Sequence, residues 1–371
     1  MPAPIVLANL TPAIVMGNES PKISSHPDLR DGTRGDTSGG GGNPDPDPNP
    51  GPGSGTTGQI SWNGVVAHGG ELTITDGESR FGTRQNVKPL YVNTGGGKTD
   101  TALGRDTGNK FAAAAVYQTT QKVGSIPGAV GTDHYNNSTD AAFDGLVIDP
   151  DKPVVCYVER YYGYDVTDSA YQNGSGGFNH KAFRIWAQGD NNNLYYTNRE
   201  DGSASYFVEY VWTGGSDWFS PVGVWFQWHA AEILFKNSDL DQSNGIFEYW
   251  ADGVTLKNAD PNDNRTPMTR KAGKPNPLVK LNLDQVSNNT GQSSITYVGY
   301  TCIDDEYNGV YVGNASTRGA CTKLVRQPQT AWAPGQIKIQ LIESLVPVGG
   351  SYLYFRTGKD TWVSDSGVIL S

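Results

Sequence analysis

From Trp228 to Lys236 the chain reads WHAAEILFK, and its alternation leaves little choice of conformation. One register holds Trp228, Ala230, Glu232, Leu234 and Lys236; the other holds His229, Ala231, Ile233 and Phe235. Successive side chains of a strand point to opposite faces, so the second set is predicted to be buried and the polar members of the first to lie open. NSDLDQSNG (Asn237 to Gly245) then has the composition of a hairpin loop. IFEYWADG resumes the alternation, with Glu248 and Trp250 on one face and Phe247 and Tyr249 on the other. Asp252-Gly253 makes a second turn into VTL. The stretch Val222 to Leu256 is therefore expected to be the centre of an antiparallel sheet.

The rest of the chain supports the same class. Its 47 Gly and 22 Pro punctuate short runs rich in Val, Ile, Tyr, Trp and Phe, and no apolar pattern of helical period persists for three turns. FAAAAVYQTT (Phe111 to Thr120) comes nearest to a helix, but its β-branched and aromatic end suits a strand equally. The fold is predicted to be all-β. At 371 residues the chain has room for two or three domains.

A formal charge of −10 without a basic cluster argues against nucleic acid and against anionic membrane surfaces as partners. Cys156, Cys302 and Cys321 are far apart and odd in number, which fits buried thiols better than a disulfide framework or a zinc site. The first residues, MPAPIVLANLTPAIVMGNES, have no Lys or Arg ahead of the apolar positions, and Pro4, Asn9 and Pro12 interrupt them. They fit neither a signal peptide nor a membrane span, so no membrane insertion is expected, and release by lysis within a virus particle is one way out of the cell.

Residues 1–38 form a polar arm with two apolar patches, Ile5-Val6-Leu7 and Ala13-Ile14-Val15-Met16. Disorder is one reading; docking to a partner subunit through Ile5, Val6, Leu7, Ile14, Val15 and Met16 is the other. Residues 39–56 are a linker, where the alternating prolines of NPDPDPNPGPGSG hold an extended path between flexible glycines.

After the linker, Gly69, Gly70, Leu72, Ile74, Phe81 and Gly82 resemble the opening of IPT/TIG immunoglobulin-like domains, although Asp76 stands where Gly is usual. The remainder of such a domain reappears late. VYVGNAS (Val310 to Ser316) resembles its central strand, QTAWAPGQIKIQLIES (Gln329 to Ser344) a later strand pair, and Gly349 to Gly367 its last hairpin. The resemblance implies a discontinuous Ig-like β-sandwich from 57–87 plus 309–371, with 88–308 inserted into it.

The insert resembles the concanavalin A-like lectin/glucanase jelly roll in its order of strands. The specific matches are the Trp228/Glu232/Lys236 strand, the hairpin with Gly245, Phe247, Trp250, Asp252 and Gly253, and the closing strand at Asp304-Asp305. The fold class expected is an antiparallel jelly-roll sandwich inserted in a smaller Ig-like β-sandwich and preceded by an extended N-terminal arm. Together the parts resemble modular virion surface proteins of tailed bacteriophages.

Glycosidases of this fold need a carboxylate pair about 5–9 Å apart, usually on one strand. ERYYGYD (Glu159 to Asp165) has the wrong spacing, and Glu232 has no carboxylate two residues away. Gln227-Trp228-His229 matches the Q-x-H strand of alginate-lyase-like relatives, but their tyrosine-rich closing strand is missing. His229 and His180 read as packed histidines before they read as a general base or a metal ligand. NSDLDQSNG lacks the EF-hand order, so no cofactor is expected, with structural calcium in that loop as the alternative. Aromatic platforms beside amides suit sugars, and the glycan-binding candidates are Trp186, Tyr195, Tyr196, Trp218, Trp228 and Glu232.

The expectation is a non-enzymatic virion structural protein, a capsid decoration or fibre subunit. It docks to other virion proteins by its arm, forms a homo-oligomer at the virion surface, and displays a jelly-roll head suited to host or environmental glycans. The alternatives are a polysaccharide lyase or glycoside hydrolase of the same fold, and a bacterial surface adhesin.

Overall fold

The computed structural model describes residues 53–57, 59–99, 102–134, 141–165, 179–198, 204–211, 225–257, 265–287 and 293–371. All belong to the unit Pro48–Ser371, so the arm and most of the linker lie outside them. The described residues form strands and turns, with one 3-10 turn at Arg318–Ala320 and no α-helix. Phe111 makes only an isolated bridge to Phe143, and the strand that follows is Val116–Gln118.

An eight-stranded antiparallel sheet lies in the middle. Its order is β14 (Thr255–Leu256), β13 (Ile246–Ala251), β12 (Trp228–Lys236), β8 (Val154–Tyr162), β16 (Ile295–Asp304), β6 (Ala129–Asp133) and β5 (Val116–Gln118), with β4 (Tyr91–Asn93) also pairing with β16. A second sheet runs β11 (Ala204–Glu209), β10 (Asn193–Asn198), β9 (Asn179–Ala187), β15 (Leu278–Ser287) and β7 (Ala141–Val147). These two make a sandwich. Its core joins Val154, Cys156, Val158, Ile233 and Phe235 of the middle sheet to Phe183, Ile185, Leu194, Leu281 and Leu283 of the second. Tyr196 stacks on Tyr249 across it at 4.3 Å and 5°, and pairs of this kind add about 0.5–1.5 kcal/mol beyond area burial.

The ends of the described chain make the remaining sheets. β1 (Gly53–Thr57), β2 (Ile60–Gly64) and β3 (Glu71–Asp76) continue through β20 (Gln336–Gln340) to β19 (Gln329–Ala333). β18 (Leu324–Gln327), β17 (Gly309–Gly313), β21 (Tyr352–Arg356) and β22 (Val368–Ile369) form the fourth sheet. Their apolar faces share a second core with the other side of the middle sheet, where Ile74, Ile337, Val312, Leu353 and Phe355 meet Val92, Tyr157, Ala230, Tyr300 and Cys302.

This double cover corrects one expectation. Most of the first register of β12 does not face solvent: Ala230, Glu232 and Leu234 are buried, and of its polar members only Lys236, at the strand's end, is exposed. Antiparallel sheets usually leave one face wet; here both registers of β12 and β8 are covered, which is why their apolar runs are nearly continuous. The turn readings agree with the structure. Asp252 (φ 51°) and Gly253 (φ 72°) occupy the left-handed region between β13 and β14, as an Asp-Gly hairpin requires.

Asp304, at the end of β16, ties distant segments together. It accepts hydrogen bonds from Arg84 (2.7 Å), Arg326 (2.9 Å) and Gln329 (2.9 Å), all buried. Burial alone would raise its carboxyl pKa, but the two guanidinium groups outweigh this and hold it below the usual value.

Candidate functional site

The outer face of the second sheet gathers a polar and aromatic group around Arg184. Its Nε donates to Asn193 Oδ1 (2.8 Å) and its Nη1 to Gln285 Oε1 (2.9 Å). The guanidinium carbon lies 3.6 Å from the Trp186 ring centroid and 5.6 Å from that of Tyr195. Asn193 in turn donates to Glu209 Oε2 (2.7 Å), which stands 3.6 Å from Arg184 Nη2. Lys181 places its Nζ 4.6 Å from the Tyr195 ring centroid.

A local irregularity produces this grouping. Lys181 and Arg184 are three residues apart, so a regular strand would send them to opposite faces. β9 slips against β10 at this point: Tyr196 pairs with Phe183 but Thr197 pairs with Lys181, which leaves Ala182 as the extra residue. The bulge returns Lys181 to the side of Arg184. On β15, Asp284 (φ 52°) faces the core while its neighbour Gln285 faces out to Arg184.

Partial burial sets the protonation on this face. Burial, then the Arg184 cation, lowers the Lys181 ammonium to about 8, so roughly a tenth of it is neutral at pH 7 and more at higher pH. Burial lowers Arg184 to about 10 against the pull of Glu209, leaving it cationic. Burial, then Glu209, raises the Tyr195 phenol, leaving it protonated.

Beneath the same sheet lies a buried polar cluster. Asp284 meets Arg160 Nε (3.1 Å) and His180 Nε2 (3.1 Å), and accepts from the Tyr162 hydroxyl (3.1 Å). Burial lowers His180 despite Asp284. Burial and then Arg160 push His229 down to about 3, so its ring, against Tyr162 at 5.2 Å, stays neutral. These groups are buried, and His229 also borders a cleft of about 310 Å³ lined by Trp228, Tyr249 and Lys257.

The candidates read from the sequence therefore separate. Trp186 and Tyr195 come together on the outer face around Arg184. Tyr196 points the other way into the core, 1 % exposed, and is corrected as a sugar platform. Trp228 packs against Tyr161 on the opposite side of the middle sheet. Glu232 is no open-face residue: it is buried and paired with Arg356 at 3.1 Å. Trp218 and the arm positions Ile5, Val6, Leu7, Ile14, Val15 and Met16 lie outside the described residues. Lys181, Arg184, Glu209 and Gln285 were not singled out from the sequence. In NSDLDQSNG, Asp239 and Asn244 bond to each other and Asp241 accepts from the Ala272 amide.

No family model and no curated protein matches the chain. Among solved structures it is similar to the alginate lyase Aly36B (8 % identity, TM-score 0.37, covering 59 % of this chain and 96 % of that one). It is also similar to an endo-β-1,4-glucuronan lyase from the fungus Trichoderma reesei (10 %, TM-score 0.36, 61 % and 97 %). A third is the marine PL-14 alginate lyase from Aplysia kurodai (10 %, TM-score 0.37, 58 % and 98 %). With polysaccharide lyases among these chains, the expectation that the protein is not an enzyme is withdrawn. All three TM-scores are below 0.5, so the chemistry is taken from the side chains themselves.

Proposed function

We propose that the protein is a polysaccharide lyase that cleaves an acidic glycan by β-elimination on the outer face of the second sheet. The carrying observation is the grouping of Lys181, Tyr195 and Arg184. Elimination beside a uronate carboxylate requires a cation to stabilise the charge that develops when the neighbouring C–H is ionised, and Arg184, whose nearest carboxylate (Glu209) stands at 3.6 Å rather than at hydrogen-bonding distance, supplies it. It requires a base that is partly unprotonated near neutral pH, and Lys181 has that property. It also requires a proton for the leaving oxygen, and the Tyr195 phenol holds one. In the step, the C5 proton passes to Lys181 Nζ, the C4–O bond breaks, the C4–C5 double bond forms, and the leaving oxygen takes the Tyr195 proton.

Hydrolysis fits this face less well. A hydrolase needs two carboxylates about 5–9.5 Å apart. Glu209 on β11 and Asp144 on β7 stand on opposite edge strands, roughly 19 Å apart at about 4.8 Å per strand spacing. Display of this head by the arm, on a virion or cell surface, and the division into 57–87 plus 309–371 around 88–308 are proposed with it.

The test is incubation with alginate, polyglucuronate, polygalacturonate and laminarin. Unsaturated, ultraviolet-absorbing ends are expected from at least one polyuronate and none from laminarin, and Lys181→Ala and Tyr195→Phe should abolish them while the fold persists. New reducing ends without unsaturation would overturn the lyase in favour of hydrolysis.

A further inference from the structure

A second feature lies on the other side of the middle sheet, where β12 and β13 meet the fourth sheet. A cleft of about 260 Å³ opens there between Trp250 of the β13 strand and Trp362 of the loop after β21, with Glu232 in its wall. Both indoles are half-buried. The Glu232 side chain is 4 % exposed; its Oε1 receives Arg356 Nη1 at 3.1 Å, while Oε2 has no hydrogen-bond partner among the described residues. A buried carboxylate oxygen left without a donor is strongly disfavoured, so a donor arriving from the cleft would satisfy it.

The neighbouring charges narrow what that donor belongs to. Arg356 also donates to the carbonyls of Gly358 and Lys359. Lys359 is held by Glu248 (2.6 Å) and Asp360 (2.8 Å), and Arg318 by Asp365 (3.0 Å). An anionic ligand would therefore meet cations already paired. The described residues hold no cluster of three or more His, Cys, Asp or Glu suited to a metal ion. Water entering the cleft can donate to Oε2, and a ligand bound there would take its place. The ligand that fits is a molecule of several heavy atoms that donates hydroxyl hydrogens and offers C–H faces to indole rings.

We propose that this cleft binds a neutral sugar residue, one hydroxyl donating to Glu232 Oε2 and the pyranose ring packing against Trp362 and Trp250. Aromatic walls with a few convergent polar groups are the usual composition of such sites. The site does not depend on the lyase reading: it sits across the middle sheet from Lys181 and Arg184, and it selects the uncharged units of a glycan.

The full chain is titrated with glucose, galactose, mannose, N-acetylglucosamine and their disaccharides, followed by ligand-observed NMR and tryptophan fluorescence. Saturable binding of at least one sugar is expected, weakened at least tenfold by Trp362→Ala, several-fold by Glu232→Gln, and not at all by Lys181→Ala. Melting curves check that the variants fold. If Glu232→Gln does not fold, Trp362→Ala alone decides. No saturable binding of any neutral sugar overturns the proposal, as does binding that survives Trp362→Ala or disappears in Lys181→Ala.

Discussion

Replacing Glu159 with glutamine should remove a loss of stability that grows as pH rises through the weakly acidic range. Glu159 lies on β8 between the middle sheet and the C-terminal strands, fully buried, and its Oε1 accepts from the Tyr157 hydroxyl (2.8 Å) and Ser344 Oγ (2.6 Å). Burial, partly offset by those two hydrogen bonds, raises its carboxyl from 4.5 to about 7. The folded state thus holds the proton more tightly than the unfolded state. The resulting stabilisation is complete below 4.5, fades as pH rises, and is lost above about 7. At 1.36 kcal/mol per pH unit, the interval corresponds to about 3 kcal/mol. Glutamine keeps the shape and the acceptor oxygen but does not titrate. Urea unfolding of both proteins from pH 4 to 8, followed by tryptophan fluorescence, gives the difference between them at each pH, in which other titrating groups largely cancel. The variant should gain about 3 kcal/mol on the wild type across that range. Parallel curves would show that Glu159 titrates normally and that its burial is not what governs it.

Other outcomes follow from the same structure. Asp304→Ala leaves Arg84 and Arg326 buried without their anion and should cost about 3–5 kcal/mol in urea unfolding; a loss below about 1 kcal/mol would mean the cluster reorganises freely. Gly253→Ala puts a Cβ 2.6 Å from the Leu324 carbonyl oxygen at a φ of 72°, and should lower stability by about 1–3 kcal/mol. A wild-type melting temperature in this variant would refute the tight approach. If Lys181 is the base, turnover should rise with pH through about 8 as its ammonium loses a proton, and a profile without an ionisation there removes it from that role.

The sequence shows the hairpin at β12 and β13, its loop and its Asp-Gly turn because those signals are local. It does not show that Glu232 is buried. The cover comes from strands such as β17 and β21, remote in the chain, and the partner Arg356 is 124 residues away. Trp186 and Tyr195 were legible as aromatic, amide-flanked positions. Their neighbours were hidden by the bulge at Ala182: counted in steps of two, Lys181 belongs with the core residues and Arg184 with solvent. Tyr196 was misread for the converse reason, since adjacent aromatics on a strand must part company, one outward and one onto Tyr249.

The middle sheet also sets a timetable for synthesis. β12 and β8 emerge from the ribosome well before β17 and β21, which later cover their second face. Until those strands arrive, Tyr157, Ala230, Tyr300 and Cys302 stand on an uncovered apolar surface, and Glu232 waits for Arg356. A nascent chain paused between the two regions would carry a sticky sheet of the kind chaperones hold. Slow codons or truncation in that interval should cost soluble yield more than equal changes made earlier.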